Sequence, residues 1–98
     1  MTYHNPALGA CGQINGDEDP VVAISHLLFD EGATPNPNKN PHCNRMIRAW
    51  RNGNAPIVVR VVDRCVRCKH DDIDVSPSSF AQLVNLANGN VYVQWEWA

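Results

Sequence analysis

The sequence contains no apolar run that approaches the length of about 20 residues that a membrane-spanning helix needs, so no such helix is expected. With 98 residues, the chain is long enough for one small domain and not for two. No signal peptide is visible. Because Met1 directly precedes Thr2, we expect a mature chain whose signal peptide has been removed. We therefore predict a single domain over residues 1–98 with no membrane partner.

The chain also has little excess of charge of either sign, since its net charge is only -2. This excludes a strong overall attraction to nucleic acid, and no nucleic-acid partner is expected. All Lys and Arg residues lie between Lys39 and Lys69, and no carboxylate occurs before Asp17. The basic stretch could contact an acidic polymer such as pectin. Such charges more often form a solvated surface, and the sequence does not decide between the two.

Four cysteines are present: Cys11, Cys43, Cys65 and Cys68. An even number in a short, loop-rich chain favours two disulfides and an oxidising compartment, with three pairings possible. A zinc site would have to combine the Cys65–Cys68 pair with the adjacent His42 and Cys43, which is poor geometry for one tetrahedral ion. A redox pair would lie at a helix N-terminus. We therefore predict disulfides, with no metal and no cofactor.

The periodicity predicts five or six short strands, one helix and one helical turn. The helix is expected at about Pro77–Ala87 after the N-cap Ser76, and the turn near residues 26–30. Asn52-Gly53 predicts a hairpin. This pattern favours a mainly β small barrel over a parallel α/β sheet. The predicted strands are Thr2–His4, Val21–Ile24, Arg45–Arg51, Ile57–Val62, Ile73–Val75 and Val91–Trp97.

A stretch from Val58 to Pro77 contains the densest group of functional residues. A valine-rich strand is predicted to end at Asp63, and a second short strand contains Asp74, next to the helix start. Between them lie the Cys-x-x-Cys loop and further acids, including Asp72. A carboxylate held at the mouth of a groove can act as an acid or a hydrogen-bond acceptor. The alternatives are that Asp63 caps a loop and that Asp72 or Asp74 leads electrostatically into the helix. For Asp63 both interpretations stay open, whereas for Asp74 the functional interpretation is favoured.

Several motifs occur in the order found in one family. They are Thr2-Tyr3, Gly9-Ala10-Cys11-Gly12, Val21 to Asp30, the loop from Asn36 to Cys43, Val62-Asp63-Arg64-Cys65 with Cys68, Asp72 to Phe80, and Trp95 with Trp97. The chain resembles the single-domain, expansin-like loosenins of basidiomycete fungi, in the wider group that includes expansins, barwin and family-45 endoglucanases. This resemblance implies a six-stranded double-psi β-barrel without a companion carbohydrate-binding domain. It also implies a secreted monomer that binds and loosens cell-wall polysaccharide, such as cellulose, chitin or another glucan, without clear hydrolysis.

The resemblance also implies roles for particular residues. Asp74 takes the position of the essential acid, Asp63 that of a supporting aspartate, and Thr2 and Tyr3 those of groove residues that contact sugar. Asp72 and Trp50 are further candidates for substrate binding. The implied disulfides are Cys11–Cys43 and Cys65–Cys68.

Each aromatic or histidine candidate also has a structural alternative. Tyr3 could belong to a frayed N-terminus, and Trp50 could pack under arginine stems. Of the two tryptophans near the C-terminus, at least one is expected in the core, and Trp97 is expected to be the more exposed. His4 is predicted to have no role, and His26 to be a buried, hydrogen-bonded histidine.

Hydrolysis with inversion needs two carboxyl groups roughly 6.5–9.5 Å apart. In the related hydrolases the base follows the N-terminal strand, where this chain has Asn5. An amide cannot take a proton from water, so we predict a non-hydrolytic protein. Two alternatives stay open. A lytic transglycosylase needs only one acid, and an inhibitor of cysteine proteases could use an apolar or aromatic loop on the same barrel.

Overall fold

The computed structural model describes residues 1–98 and shows six strands and two short helices. The strands are β1 (Thr2–Tyr3), β2 (Val21–Ser25), β3 (Met46–Trp50), β4 (Ile57–Cys65), β5 (Ile73–Val75) and β6 (Gln94–Trp97). The helices are α1 (His26–Glu31) and α2 (Pro77–Leu83), and 3-10 turns occupy Pro37–Lys39 and Leu86–Asn88. Neither helix could cross a bilayer, because both are too short and not apolar enough. The prediction of a mainly β domain with six strands is confirmed.

The strands form one sheet in the order β1-β5-β2-β4-β3-β6. The β1–β5 and β2–β4 pairs are parallel, and the remaining pairs are antiparallel. No strand pairing closes the sheet, so β1 and β6 are its two edges. Two backbone hydrogen bonds between Met1 and Val91 join these edges at one point, at 2.7 and 3.0 Å. The barrel is therefore open along a seam between β6 and the β1–β5 side.

The main core lies on one face of the sheet, because alternate residues along a strand point to the same side. Val22, Ile24 and Val75 are fully buried there beneath Phe80 of α2. The predicted hairpin is present between β3 and β4, and Gly53 has the positive φ of 84° that favours glycine. Both disulfides implied by the resemblance are formed, Cys11–Cys43 and Cys65–Cys68.

Three boundaries differ from the sequence prediction. Strand β4 continues beyond Val62 to Cys65, because its parallel pairing with β2 extends that far. Helix α2 ends at Leu83 instead of Ala87, since the Asn85 side chain accepts the N–H of Ala87 and supports a separate 3-10 turn. Residues 91–93 precede β6 without strand pairing. Asp63 thus lies within a strand and not at its end.

The loop that carries Gly9 packs directly against β4. A Cβ at this position would collide with the carbonyl oxygen of Val62 and lie 3.1 Å from the Asp63 Cβ. The close approach lets Cys11 N–H donate to the Val62 carbonyl oxygen over 3.1 Å. Glycine at this position therefore permits the loop to dock on the strand that carries Asp63.

Replacing Gly9 by alanine should destabilise the protein by about 1–3 kcal/mol, because the added methyl group must displace backbone. Urea unfolding monitored by tryptophan fluorescence measures this change. Gly16→Ala is the matched control, since nothing lies within 4 Å of a Cβ there. Equal stability of the two variants would contradict the docking role of Gly9.

Candidate functional site

Four strands place four residues in one row across the sheet. Thr2 pairs with Asp74, Asp74 pairs with Ala23, and Ala23 pairs with Asp63. Directly paired residues project to the same face. This is the face away from the main core, where Ala23 packs against the Cys65–Cys68 disulfide. Two inter-strand spacings of about 4.8 Å each therefore separate the backbones at Asp63 and Asp74.

Asp74 is the most buried carboxylate of the row, with only 6% of the residue exposed. The Thr2 hydroxyl donates to its Oδ1 over 2.9 Å. His4 Nδ1 lies 3.3 Å from its other oxygen, Oδ2. The structure therefore brings Thr2 to Asp74, as the resemblance implies. It adds His4, which the sequence interpretation set aside.

His4 belongs to the site because it lies two residues after Thr2 on an extended segment, and therefore on the same face. Its Nδ1 is buried and forms no hydrogen bond of acceptable angle, so its contact with Asp74 is best described as an ion pair. Interaction with the Asp74 carboxylate raises the pKa of His4, whereas partial burial and the charge of Arg67 oppose the rise. The Asp63 charge adds a smaller contribution in the same direction as Asp74.

This pair predicts a pH-dependent contribution to stability. Because the pKa of His4 is raised on folding, its stabilising contribution is present below the unfolded value of about 6.5 and is lost as pH rises through the folded pKa. The unfolding free energy of the wild type should therefore exceed that of His4→Gln most near pH 5, and the gap should shrink by about pH 8. Urea unfolding of both proteins at the two pH values measures the gap. A gap that stays constant or widens with pH would show that the ion pair is absent.

Asp63 caps a loop, which is the structural alternative considered for it above. Its Oδ1 accepts the backbone N–H groups of Ala10 and Arg64, each over 2.8 Å. The first bond anchors the loop of Gly9 and Cys11 to the row. Asp63 therefore organises backbone beside Asp74, and this function is compatible with the supporting role implied by the resemblance.

Of the two other residues in β1 and beside β5 that are predicted to contact sugar, Asp72 lies near Asp74 and Tyr3 does not. Tyr3 projects away from Thr2, with its ring centroid 4.7 Å from that of Phe80 and its hydroxyl donating to the Leu86 carbonyl oxygen. The structure thus does not bring Tyr3 to Asp74. Asp72 does lie close to the row: its Oδ2 accepts the Lys69 N–H over 3.0 Å, and it lines the same depression as Asp74.

A depression of about 250 Å³ opens beside Asp74. Thr2, Asp72, Arg67 and the Cys65–Cys68 disulfide contribute to its lining. It shares Met1, Asp72, Ile73 and Asn90 with a larger cleft of about 980 Å³ along the seam. Trp50 lies in this cleft, with its Nε1–H donating to Gln94 Oε1 over 2.9 Å. Its indole is therefore oriented by Gln94.

Trp95 and Trp97 both pack against the core and are both half-buried. The guanidinium carbon of Arg45 lies 3.7 Å from the Trp97 ring centroid. The His42 ring stacks on Trp97 with 5.4 Å between the two ring centroids. Neighbouring side chains thus lie against Trp97, and its greater exposure relative to Trp95 stays a prediction. His26 is half-buried and bonds through Nδ1 to the Cys65 carbonyl oxygen, as a structural histidine would.

One contact near the N-terminal strand was not visible in the sequence. Asn5, which the resemblance aligns with the hydrolase base, donates its amide to both carboxylate oxygens of Asp17 over 3.0 Å. A carboxylate that is later in the chain is therefore close to this position in space. No sequence signal connects these two residues, because the intervening loop has no regular pattern.

Solved structures similar to the chain include two from bacteria. The Streptomyces papain inhibitor is 34% identical, with a TM-score of 0.83 over 99% of this chain and 88% of the inhibitor. A mutant Clavibacter michiganensis expansin in complex with cellohexaose is 18% identical, with a TM-score of 0.77 over 99% of this chain. This chain covers 47% of that expansin, and at this identity the likeness shows the fold alone.

No curated protein matches the chain. A family model of the double-psi β-barrel, described as lytic transglycolase, matches residues 7–95, which is nearly the whole chain. The six strands, their parallel pairs and the similarity to the papain inhibitor agree with this match. The chain therefore belongs to the double-psi β-barrel family that this model describes.

Proposed function

We propose that this protein is a secreted, expansin-like monomer that binds and loosens cell-wall polysaccharide of the cellulose or chitin type without hydrolysing it. The observation that carries the proposal is the nearly buried Asp74 carboxylate, oriented by Thr2 and His4 beside a depression of about 250 Å³. Two disulfides in a chain of this size are typical of proteins from oxidising, extracellular compartments.

A carboxylate shielded from water is a strong acceptor for sugar hydroxyl groups, since charge-assisted hydrogen bonds gain strength at low local dielectric. A glycan that bonds to Asp74 exchanges a hydrogen bond to a neighbouring chain for one to the protein. Loosening follows from this competition and needs no bond cleavage. The shared fold with an expansin that holds cellohexaose supports a carbohydrate ligand.

The absence of hydrolysis is proposed because the nearby carboxylates are engaged in structural contacts. Asp63 accepts two backbone N–H groups through Oδ1, and the Asn5 amide engages both Asp17 oxygens. A lytic transglycosylase would need only one acid, because a hydroxyl group of the sugar itself attacks. Product analysis therefore has to accompany any binding assay.

A pull-down with insoluble cellulose, chitin, peptidoglycan and xylan tests the proposal. We expect retention on cellulose or chitin, with no new reducing ends and no anhydro-sugars in the supernatant. The appearance of anhydro-sugar products would show that the protein is a lytic enzyme and would overturn the proposal of non-cleaving loosening. If the protein binds none of the four polymers, a carbohydrate function is contradicted.

A second candidate function is inhibition of papain-like cysteine proteases, favoured by the 34% identity to the Streptomyces papain inhibitor. The chain also carries an exposed apolar pair, Leu8 and Ile14, which face each other across an isolated β-bridge and are 68% and 80% exposed. This pair is far in sequence from Asp74. A papain activity assay separates the candidates, since inhibition that survives Asp74→Asn and is lost in Leu8→Ser would assign this second function.

A further inference from the structure

The seam between the two edges of the sheet forms a groove that extends well beyond Asp74. On one side lie Met1, Asp72 and Ile73, and on the other lies the segment from Asn90 to Trp97. A third depression of about 240 Å³ adjoins the cleft at the β3 hairpin, where both are lined by Trp50, Tyr92, Val93 and Gln94. Three adjoining depressions thus connect Asp74 to Trp50 along one open path.

The aromatic side chains in this groove are not equally available for stacking. Trp97 is covered by Arg45 and His42. Trp95 meets Trp97 edge-on, and its Nε1–H is bound to the Asp71 carbonyl oxygen over 2.8 Å. Tyr92, by contrast, is 82% exposed, and its hydroxyl makes no hydrogen bond within the chain. Together with the half-buried Trp50, it forms an aromatic pair that lines both the cleft and the third depression.

Trp50 is held in place for such a contact. It pairs with Gln94 across β3 and β6, and the Gln94 side chain fixes its indole N–H. Tyr92 lies two residues before Gln94, on the short segment that leads into β6. Aromatic rings with a fixed orientation suit the apolar face of a pyranose ring, which stacks without needing a charge.

The charges along the groove restrict the kind of sugar. Four carboxylates contribute to its lining, from Asp71, Asp72, Asp74 and Glu96, and its cationic groups are the side chains of Arg51 and Arg67 and the N-terminal ammonium of Met1. Glu96 is also paired with Arg48 outside the groove. These charges nearly balance, so the groove has no basic surface that would attract uronic acids, whereas uncharged sugars do not need one. The groove therefore does not support the acidic polymer that the basic stretch alone suggested.

We propose that Trp50 and Tyr92 form a second sugar-stacking subsite, so that the groove binds an interior run of several residues of an uncharged, β-linked polysaccharide. This inference rests on the proposed function, because it takes the Asp74 depression to be the first subsite. An open groove along the surface can accept the middle of a chain, whereas a closed pocket would select chain ends.

Isothermal titration calorimetry with cello- and chito-oligosaccharides, from trisaccharide to hexasaccharide, tests the inference. The wild-type affinity should rise with length, and Tyr92→Ala should lose roughly 3- to 10-fold for the hexasaccharide while keeping the trisaccharide affinity. Tyr92→Phe should retain the gain, because stacking needs only the ring. Leu27→Ala is the matched control, an exposed apolar residue on α1 that lines none of the three depressions. The two sugar series distinguish glucan from chitin, and an oligogalacturonate should bind more weakly than either.

The outcomes separate this inference from the proposed function. If binding is lost in Asp74→Asn and the length-dependent gain survives Tyr92→Ala, the distal subsite is wrong and the proposed function stands. If Tyr92→Ala weakens the trisaccharide as much as the hexasaccharide, the residue acts on the first subsite or on the fold, and the inference is overturned. If no oligosaccharide binds in a manner that depends on Asp74, both the proposed function and the subsite fail.

Discussion

Asp74→Asn should lower the affinity for insoluble polysaccharide by about 10- to 100-fold, which corresponds to the loss of one or two charge-assisted hydrogen bonds. Asparagine has nearly the same shape and keeps an oxygen that can accept the Thr2 hydroxyl. The variant should therefore retain its fold, as measured by circular dichroism and thermal unfolding. Depletion assays with cellulose and chitin powders measure the affinity, and tensile tests on filter paper measure the loss of weakening.

Asp30→Asn is the control for this experiment. Asp30 is an exposed aspartate that, like Asp74, makes strong contacts, since it pairs with Arg64 over 2.6 Å, but it lies on α1 and lines none of the three depressions. Its removal should leave binding unchanged. Wild-type affinity in a folded Asp74→Asn variant would refute the mechanism at its centre.

The second large effect concerns stability. Replacing Cys11 and Cys43 together by serine should cost about 3–4 kcal/mol, because their disulfide closes a loop with a sequence separation of 32 and restricts the unfolded chain accordingly. A small domain buries too little apolar surface to absorb such a loss easily. Guanidinium unfolding, with mass spectrometry to confirm the absence of the bond, measures the change.

The Cys65→Ser, Cys68→Ser double variant provides the comparison. Its loop has a sequence separation of only 3, so the same entropy argument gives a smaller loss of about 2 kcal/mol. Because this disulfide packs on Ala23 in the row between Asp63 and Asp74, we expect its removal to weaken sugar binding more than stability. A larger destabilisation from this pair than from Cys11–Cys43 would contradict the loop-closure account.

Local patterns in the sequence predicted most of the elements. Strand β2 is a β-branched run between turn signals, the hairpin follows from Asn52-Gly53, and the start of α2 follows from Ser76-Pro77. These signals act over a few residues, so they can be seen without knowledge of the fold. The resemblance added the barrel and placed Thr2 beside Asp74.

Features that depend on long-range pairing could not be predicted in this way. Asp63 lies inside β4 because β2 continues to pair with it, and nothing in the valine-rich run shows where that pairing ends. His4 and Asp74 are 70 positions apart in sequence, and only the parallel β1–β5 register brings them together. Trp97 is contacted by His42 from a loop and by Arg45 at the entry to β3, and no local pattern in the sequence connects these residues to the C-terminal strand.

The most direct test of the account is a titration of ¹⁵N-labelled protein with cellohexaose and chitohexaose, followed by NMR spectroscopy of both protein and sugar. The account predicts that the largest shift changes occur at Thr2, Asp74 and the Trp50 indole N–H, and that the sugar spectrum stays intact after prolonged incubation. Shift changes confined to the loop of Leu8 and Ile14, or the appearance of cleaved sugar, would contradict it.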